Sequence, residues 1–222
     1  MTKLYLFLIA LAVQLISAYL GYQYLVHWGE EGLRFKSFFY PAFKKKLFVF
    51  TISGLLLSVG VFCYGFFPKE EAFLRALINA EMCQWLLLIG YIDLKEKIIP
   101  NSMILVGLIF WVLVVLVNIF VGKVPAKDIL MFSIVGAGIS FILLIIALIV
   151  KSALGMGDVK MFLVIGLLYG LVDTYSILLF SVIVMAIVSI ILLLIKKATR
   201  KTAIPMAPFT AIGFLLSILA GL

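Results

Sequence analysis

Charge is scarce in this 222-residue chain: only 13% of its residues are Asp, Glu, Lys or Arg, while 66% are hydrophobic. Soluble domains run at roughly 25% charged and 45–50% apolar, so a soluble globular architecture is excluded. Cysteine is nearly absent. Cys63 and Cys83 stand alone on different apolar stretches, with no CxxC pair and no histidine at ligand spacing. That pattern excludes a disulfide framework and a zinc ribbon, and both residues read as small core side chains. The single histidine, His27, directly follows an apolar stretch and reads as an interfacial residue rather than a base or a ligand. Long polar stretches are missing too, which leaves little chain for a domain outside the membrane.

What is present is a series of apolar runs. Crossing the ~30 Å hydrocarbon layer takes about 20 residues of helix, because each backbone polar group must be satisfied within its own helix. Eight segments qualify by composition: 4–26, 47–67, 76–93, 102–122, 129–150, 158–172, 174–195 and 204–221. The sixth is short. The expected fold is an all-α polytopic membrane helix bundle of about eight transmembrane helices, forming a single membrane-embedded domain over residues 1–222. The first run could pass for a signal peptide, but its apolar stretch continues through Tyr19 to Val26, longer than a usual signal core, so it is expected to remain as a span.

The chain is basic, with 18 Lys and Arg against 10 Asp and Glu. Short loops rich in basic residues tend to stay in the cytoplasm. With the N-terminus outside, the outer side holds only Lys3, Lys69, Arg75, Lys123 and Lys127, and every other basic residue falls on the inner side. The excess is therefore read as a topology signal with a secondary affinity for anionic lipid, and it requires no nucleic acid. The longest inner loop, at 27–46, interleaves Phe35, Phe38, Tyr40 and Phe43 with Arg34, Lys36 and Lys44, a mixture suited to the headgroup layer.

In such a chain the ionisable residues inside or beside apolar runs carry the information. Glu30, Glu31, Glu70, Glu71, Glu96, Asp128 and Asp173 fall in expected loops, where water solvates them. Glu81, Asp93 and Asp158 remain. Glu81 is twelve residues before Asp93, about 18 Å along a helix, too far to share a site with it, and it is assigned to the outer headgroup region. Asp93 closes the third segment in YIDLKEKIIPN (91–101), and Asp158 opens the sixth in GMGDVK (155–160). The chain crosses out and back between them, so both carboxylates return to one face, which the basic loops make cytoplasmic.

Local signals support a site there. Pro100 disfavours helix at Ile99 and marks a break and restart, with Asn101 placed to cap the new helix. Gly155 and Gly157 permit positive φ and remove bulk where another backbone approaches; alternatively they form only a tight turn ahead of a helix whose first turn favours an acid. Two carboxylates brought together do not both ionise cheaply, and such a pair hydrolyses amides by sharing a proton around one water, with no metal or cofactor. A transport role, with Asp93 and Asp158 binding ions or protons, is the alternative; ion flux in vesicles would distinguish it.

These residues resemble a family. GMGDVKMF matches the GxGD signature of the type IV prepilin peptidases, including Lys160; IDLKEKIIPN (92–101) is similar to that family's first aspartate motif; and AIPMAPFTAIG (203–213) is similar to its C-terminal segment. The resemblance implies a membrane aspartic endopeptidase of the bacterial inner membrane, with its active site facing the cytoplasm and cutting short basic leaders from prepilins or pseudopilins. Carried over residue by residue, Asp93 and Asp158 are the catalytic pair, and Gly155, Gly157, Lys160, Pro100, Asn101, Pro205 and Pro208 are expected to contact substrate. Many members carry paired CxxC zinc motifs in the first cytoplasmic loop and transfer a methyl group from S-adenosylmethionine. The 27–46 loop here has no cysteine, so the chain resembles a short form with no metal site. S-adenosylmethionine is implied only if methyl transfer is retained. Oligomeric state is left open.

Overall fold

The computed structural model describes residues 2–27, 45–67, 72–149, 154–196 and 202–221. Most of the 27–46 loop lies outside the described residues. Seven helices are assigned among the described residues: α1 (Thr2–His27), α2 (Lys45–Phe66), α3 (Phe73–Glu96), α4 (Asn101–Phe120), α5 (Ala126–Ile149), α6 (Met156–Leu194) and α7 (Ala207–Ala220). The first six are long and apolar enough to cross a membrane, so the chain is a multi-pass membrane protein with an all-α fold.

The eight expected segments map onto these helices with one rearrangement. The sixth and seventh share α6, which is interrupted at Gly170, where φ is 71° and ψ is −169°. The break falls a few residues before the expected boundary at 172–174. A side chain is excluded there, because an added Cβ would run into the Phe132 ring. Positive φ and the absence of space are both conditions that only glycine meets.

The chain divides into two compact units, Met1–Leu88 and Ile89–Leu222. In the first, α1, α2 and the start of α3 bury an aromatic cluster. Phe62 stacks on Phe66 with centroids 5.2 Å apart, and both meet Phe73 edge-on. Ala10, Ala76 and Ala80 are buried with them, small residues that let the helices approach closely. Cys63 packs at the margin of this cluster and Cys83 is buried; both are free thiols.

One turn away, the same three helices share a polar network. Ser58 Oγ donates to Gln14 Oε1 at 3.1 Å. Gln84 Nε2 donates to Ser58 Oγ at 2.9 Å and to the Gln14 carbonyl at 3.3 Å. Ser17 Oγ donates to Gln84 Oε1 at 2.9 Å. Gln14, Ser58 and Gln84 are buried, and with no water in hydrocarbon such groups must satisfy one another. Glu81 stands half-buried beside this network and hydrogen-bonds Ser17, so α3 turns it toward α1.

In the second unit the seam between α5 and α6 is made of glycine and serine. A Cβ on Gly136 would strike the Gly166 carbonyl and come within 2.6 Å of Gly170 Cα, and a Cβ on Gly166 would strike the Gly136 carbonyl. Ser133 Oγ donates to the Leu167 carbonyl at 2.8 Å and accepts from Trp111 Nε1 at 3.1 Å, which ties in α4. Ser140 Oγ donates to the Val159 carbonyl at 2.8 Å. α7 packs against both halves of α6: Phe214 meets Tyr169 edge-on at 5.7 Å, and a Cβ on Gly213 would lie 2.8 Å from the Ile177 carbonyl.

Candidate active site

Three stretches far apart in sequence converge within the second unit. Asp93 stands one turn from the end of α3, whose last turn closes with the Lys97 amide donating to the Asp93 carbonyl at 2.9 Å. Lys97 itself takes φ 55°, a left-handed residue that ends the helix. The chain then runs extended to Pro100, which has φ −66° and ψ 135° and serves as the N-cap of α4.

The GMGD stretch abuts this turn. Gly155 is the N-cap of α6, and Asp158, three residues on, hydrogen-bonds back to the Gly155 amide, the acid arm of a capping box. Neither glycine takes positive φ: among the described residues the positive-φ glycines are Gly170 and Gly221. The positive φ that glycine permits is not used; the alternative reading, a helix start with an acid in its first turn, is the one found, and the glycines also serve through their lack of bulk. A Cβ on Gly157 would lie 2.9 Å from Ile99 Cβ, and one on Gly155 would lie 3.0 Å from Asp158 Oδ2. Gly157 thus lets the two motifs touch, and Gly155 leaves room beside the carboxylate.

A second link is polar. Lys160 Nζ donates to Asn101 Oδ1 at 2.9 Å. Asn101 was expected to cap α4, but it occupies the first helical position, and the cap residue Pro100 has no side chain to contribute. The Asn101 side chain is directed to Lys160 instead.

The third stretch is the start of α7. The Ala207 amide donates to Asp93 Oδ2 at 3.0 Å, and the Met206 amide also interacts with that carboxylate. Asp93 is buried at 5% exposure, so these amides compensate the desolvation of a carboxylate. Asp158 is half-buried and lies close enough to feel the charge of Asp93. The two acids of the sequence reading are thereby brought into one electrostatic site, with Gly155, Gly157, Lys160, Asn101 and Pro208 around them. Pro100 is buried at the start of α4, and Pro205 is half-buried in the extended run before α7. Among the described residues no set of three His, Cys, Asp or Glu side chains gathers as a metal site.

Sequence reasoning passed over Gly90, Ile99 and Ala207. Gly90 has a signal in retrospect: it is a glycine inside a helix, three residues before the acid, and therefore on the same face.

Residues 81–190, which contain both aspartates, match the type IV leader peptidase family. Over that stretch the chain is similar to type IV leader peptidases. It is 31% identical over 178 residues to a prepilin leader peptidase/N-methyltransferase of Legionella pneumophila, covering 78% of this chain and 58% of that protein. A protein of the same description from Pseudomonas putida is 29% identical over 170 residues, covering 76% of this chain and 56% of its own length. The chain thus spans less than two thirds of either relative. No solved structure matches it. The family match ends before α7, so the contact of α7 with Asp93 lies partly outside the matched residues.

Proposed function

We propose that this chain is a membrane aspartic endopeptidase that removes the short basic leader from type IV prepilins or pseudopilins. The observation that supports this most is the pair itself: Asp158 feels the charge of Asp93 at the point where three sequence-distant motifs meet. A water held between the carboxylates gives a proton to one of them as its oxygen attacks the scissile carbonyl carbon. The other carboxyl group hydrogen-bonds the carbonyl oxygen, and the leaving nitrogen takes a proton as the C–N bond breaks. One water is consumed, and a new carboxylate and a new amino terminus result. The pair acts as a unit in this scheme.

Gly155, exposed beside Asp158, and the Asn101–Lys160 link are the proposed places where the peptide lies against the enzyme. Both acids stand at helix ends that basic loops assign to the cytoplasmic side of the bacterial inner membrane. An apolar helix following the leader would enter the bilayer beside the enzyme and leave the scissile bond at that surface. Peptide hydrolysis needs no cofactor here. The relatives' names include N-methyltransferase, and S-adenosylmethionine becomes a second substrate only if that activity is retained.

The test is mass spectrometry of a prepilin incubated with the purified wild-type enzyme, Asp93→Asn and Asp158→Asn, with and without S-adenosylmethionine. Cleavage by the wild type and none by either variant is expected. Normal processing by either folded variant overturns the assignment. The same spectra show whether the new terminus carries an added methyl group.

A further inference from the structure

We infer that Gly90 and the first turn of α7 form a positioning device for Asp93, in which the missing side chain at Gly90 lets the Met206 and Ala207 amides reach the carboxylate. The inference rests on the reading of Asp93 as one of the catalytic pair, and adds to it residues outside both aspartate motifs.

Three observations carry it. A Cβ on Gly90 would lie 3.1 Å from Pro208 Cα and 3.3 Å from Pro208 N. Both are backbone atoms, which cannot swing aside as a side-chain tip can. The next residue back, Ala207, donates its amide to Asp93 Oδ2 at 3.0 Å, and Met206 adds its own. Gly90 and Asp93 are three residues apart on α3, hence neighbours on one helical face. The turn that touches Gly90 is therefore the turn that holds Asp93.

The physical effect is orientation. A carboxylate has two χ angles to fix, and amides at a helix start hold it by charge-assisted bonds and by the helix dipole. Pro208, in the first turn, has φ preset for helix and no N–H of its own, so the turn arrives already shaped. Any residue larger than glycine at position 90 pushes the turn outward and lengthens the bonds to Asp93. The effect falls on the reacting geometry and not on peptide contacts, so it should appear in kcat and leave KM unchanged.

The experiment uses the full-length enzyme in detergent with a prepilin substrate. Gly90→Ala requires a shift of a few tenths of an ångström, and is expected to lower kcat about tenfold, since a misplacement of about 1 Å can cost ~100-fold. KM should stay unchanged, and the pH profile of kcat should be displaced, because the carboxylate facing Asp158 has weaker amide support. Gly90→Val should be worse. Gly138→Ala on α5, where an added Cβ meets nothing within 4 Å, is the control and should match wild type throughout. Wild-type kcat and pH profile in folded Gly90→Ala overturn the inference. So does a loss of rate that merely tracks a loss of folded protein, with an unchanged pH profile. Asp93→Asn, assayed alongside, separates the two levels: if that variant is active, the catalytic assignment fails; if it is inactive while Gly90→Ala behaves as wild type, only the positioning role fails.

Discussion

Lys160 reaches across from the second turn of α6 to the first residue of α4 and donates to Asn101 at 2.9 Å. The two aspartate motifs are therefore joined on their outward side by a polar link, and on their inner side by the contact of Gly157 with Ile99. A site built from helix ends needs such ties, because each end alone would fray.

The polar link should behave as one unit. Lys160→Met and Asn101→Ala are each expected to slow leader removal severalfold without abolishing it, and the double variant should be no slower than the worse single one. Steady-state kinetics on the four proteins form a double-mutant cycle. Strictly additive losses would mean that the two side chains act separately.

The inner contact makes a sharper prediction about rescue. Gly157→Ala places a Cβ 2.9 Å from Ile99 Cβ and should reduce activity strongly. Ile99→Ala cannot relieve this, because the atom in the way is the Cβ that alanine keeps. Ile99→Gly removes it and should restore much of the activity to the double variant. Equal rescue by alanine and glycine would contradict the stated geometry.

The α5–α6 seam should govern stability. Gly136→Ala and Gly166→Ala each force a methyl group against backbone on the opposite helix, and overpacking of this kind costs about 1–3 kcal/mol. Thermal unfolding in detergent should show a lowered midpoint for both, while Gly138→Ala, two residues along the same helix, should leave it unchanged.

The polar network of the first unit should likewise affect stability without touching the chemistry. Gln84→Leu removes the donor that Gln84 gives to Ser58 and to the Gln14 carbonyl and the acceptor it gives to Ser17; interhelical hydrogen bonds of this type average about 0.6 kcal/mol in membranes, with a maximum near 1.7. A lower unfolding midpoint with unchanged leader cleavage per folded molecule is the expected outcome. A large change in kcat would show that the network serves the reaction.

Much of the site was legible beforehand because membrane chains tolerate so few acids: once loop carboxylates are set aside, Asp93 and Asp158 stand out, and counting crossings puts them on one face. The apolar runs likewise marked the helices, including the interruption now found at Gly170. Approach distances between helices left no such trace. Gly90, Gly136 and Gly166 look alike in sequence, yet one faces Pro208 and the others face each other. The glycines before Asp158 left two readings open, a left-handed backbone or a turn into a helix that starts with an acid, and the capping requirement of α6 decided for the second. Asn101 suggested a cap, but Pro100 had already taken that position and Lys160 claimed the side chain.

The positive φ at Gly170 bears on how far the chain must reach. A continuous α6 would carry Leu194 about 54 Å from Asp158, beyond the ~47 Å that the following 13 residues could reach at full stretch. Yet Ala207 bonds to Asp93, whose charge is felt by Asp158. The kink at Gly170 shortens that path, so one terminal helix packs against both halves of α6 through Tyr169 and Ile177 while its first turn meets Asp93.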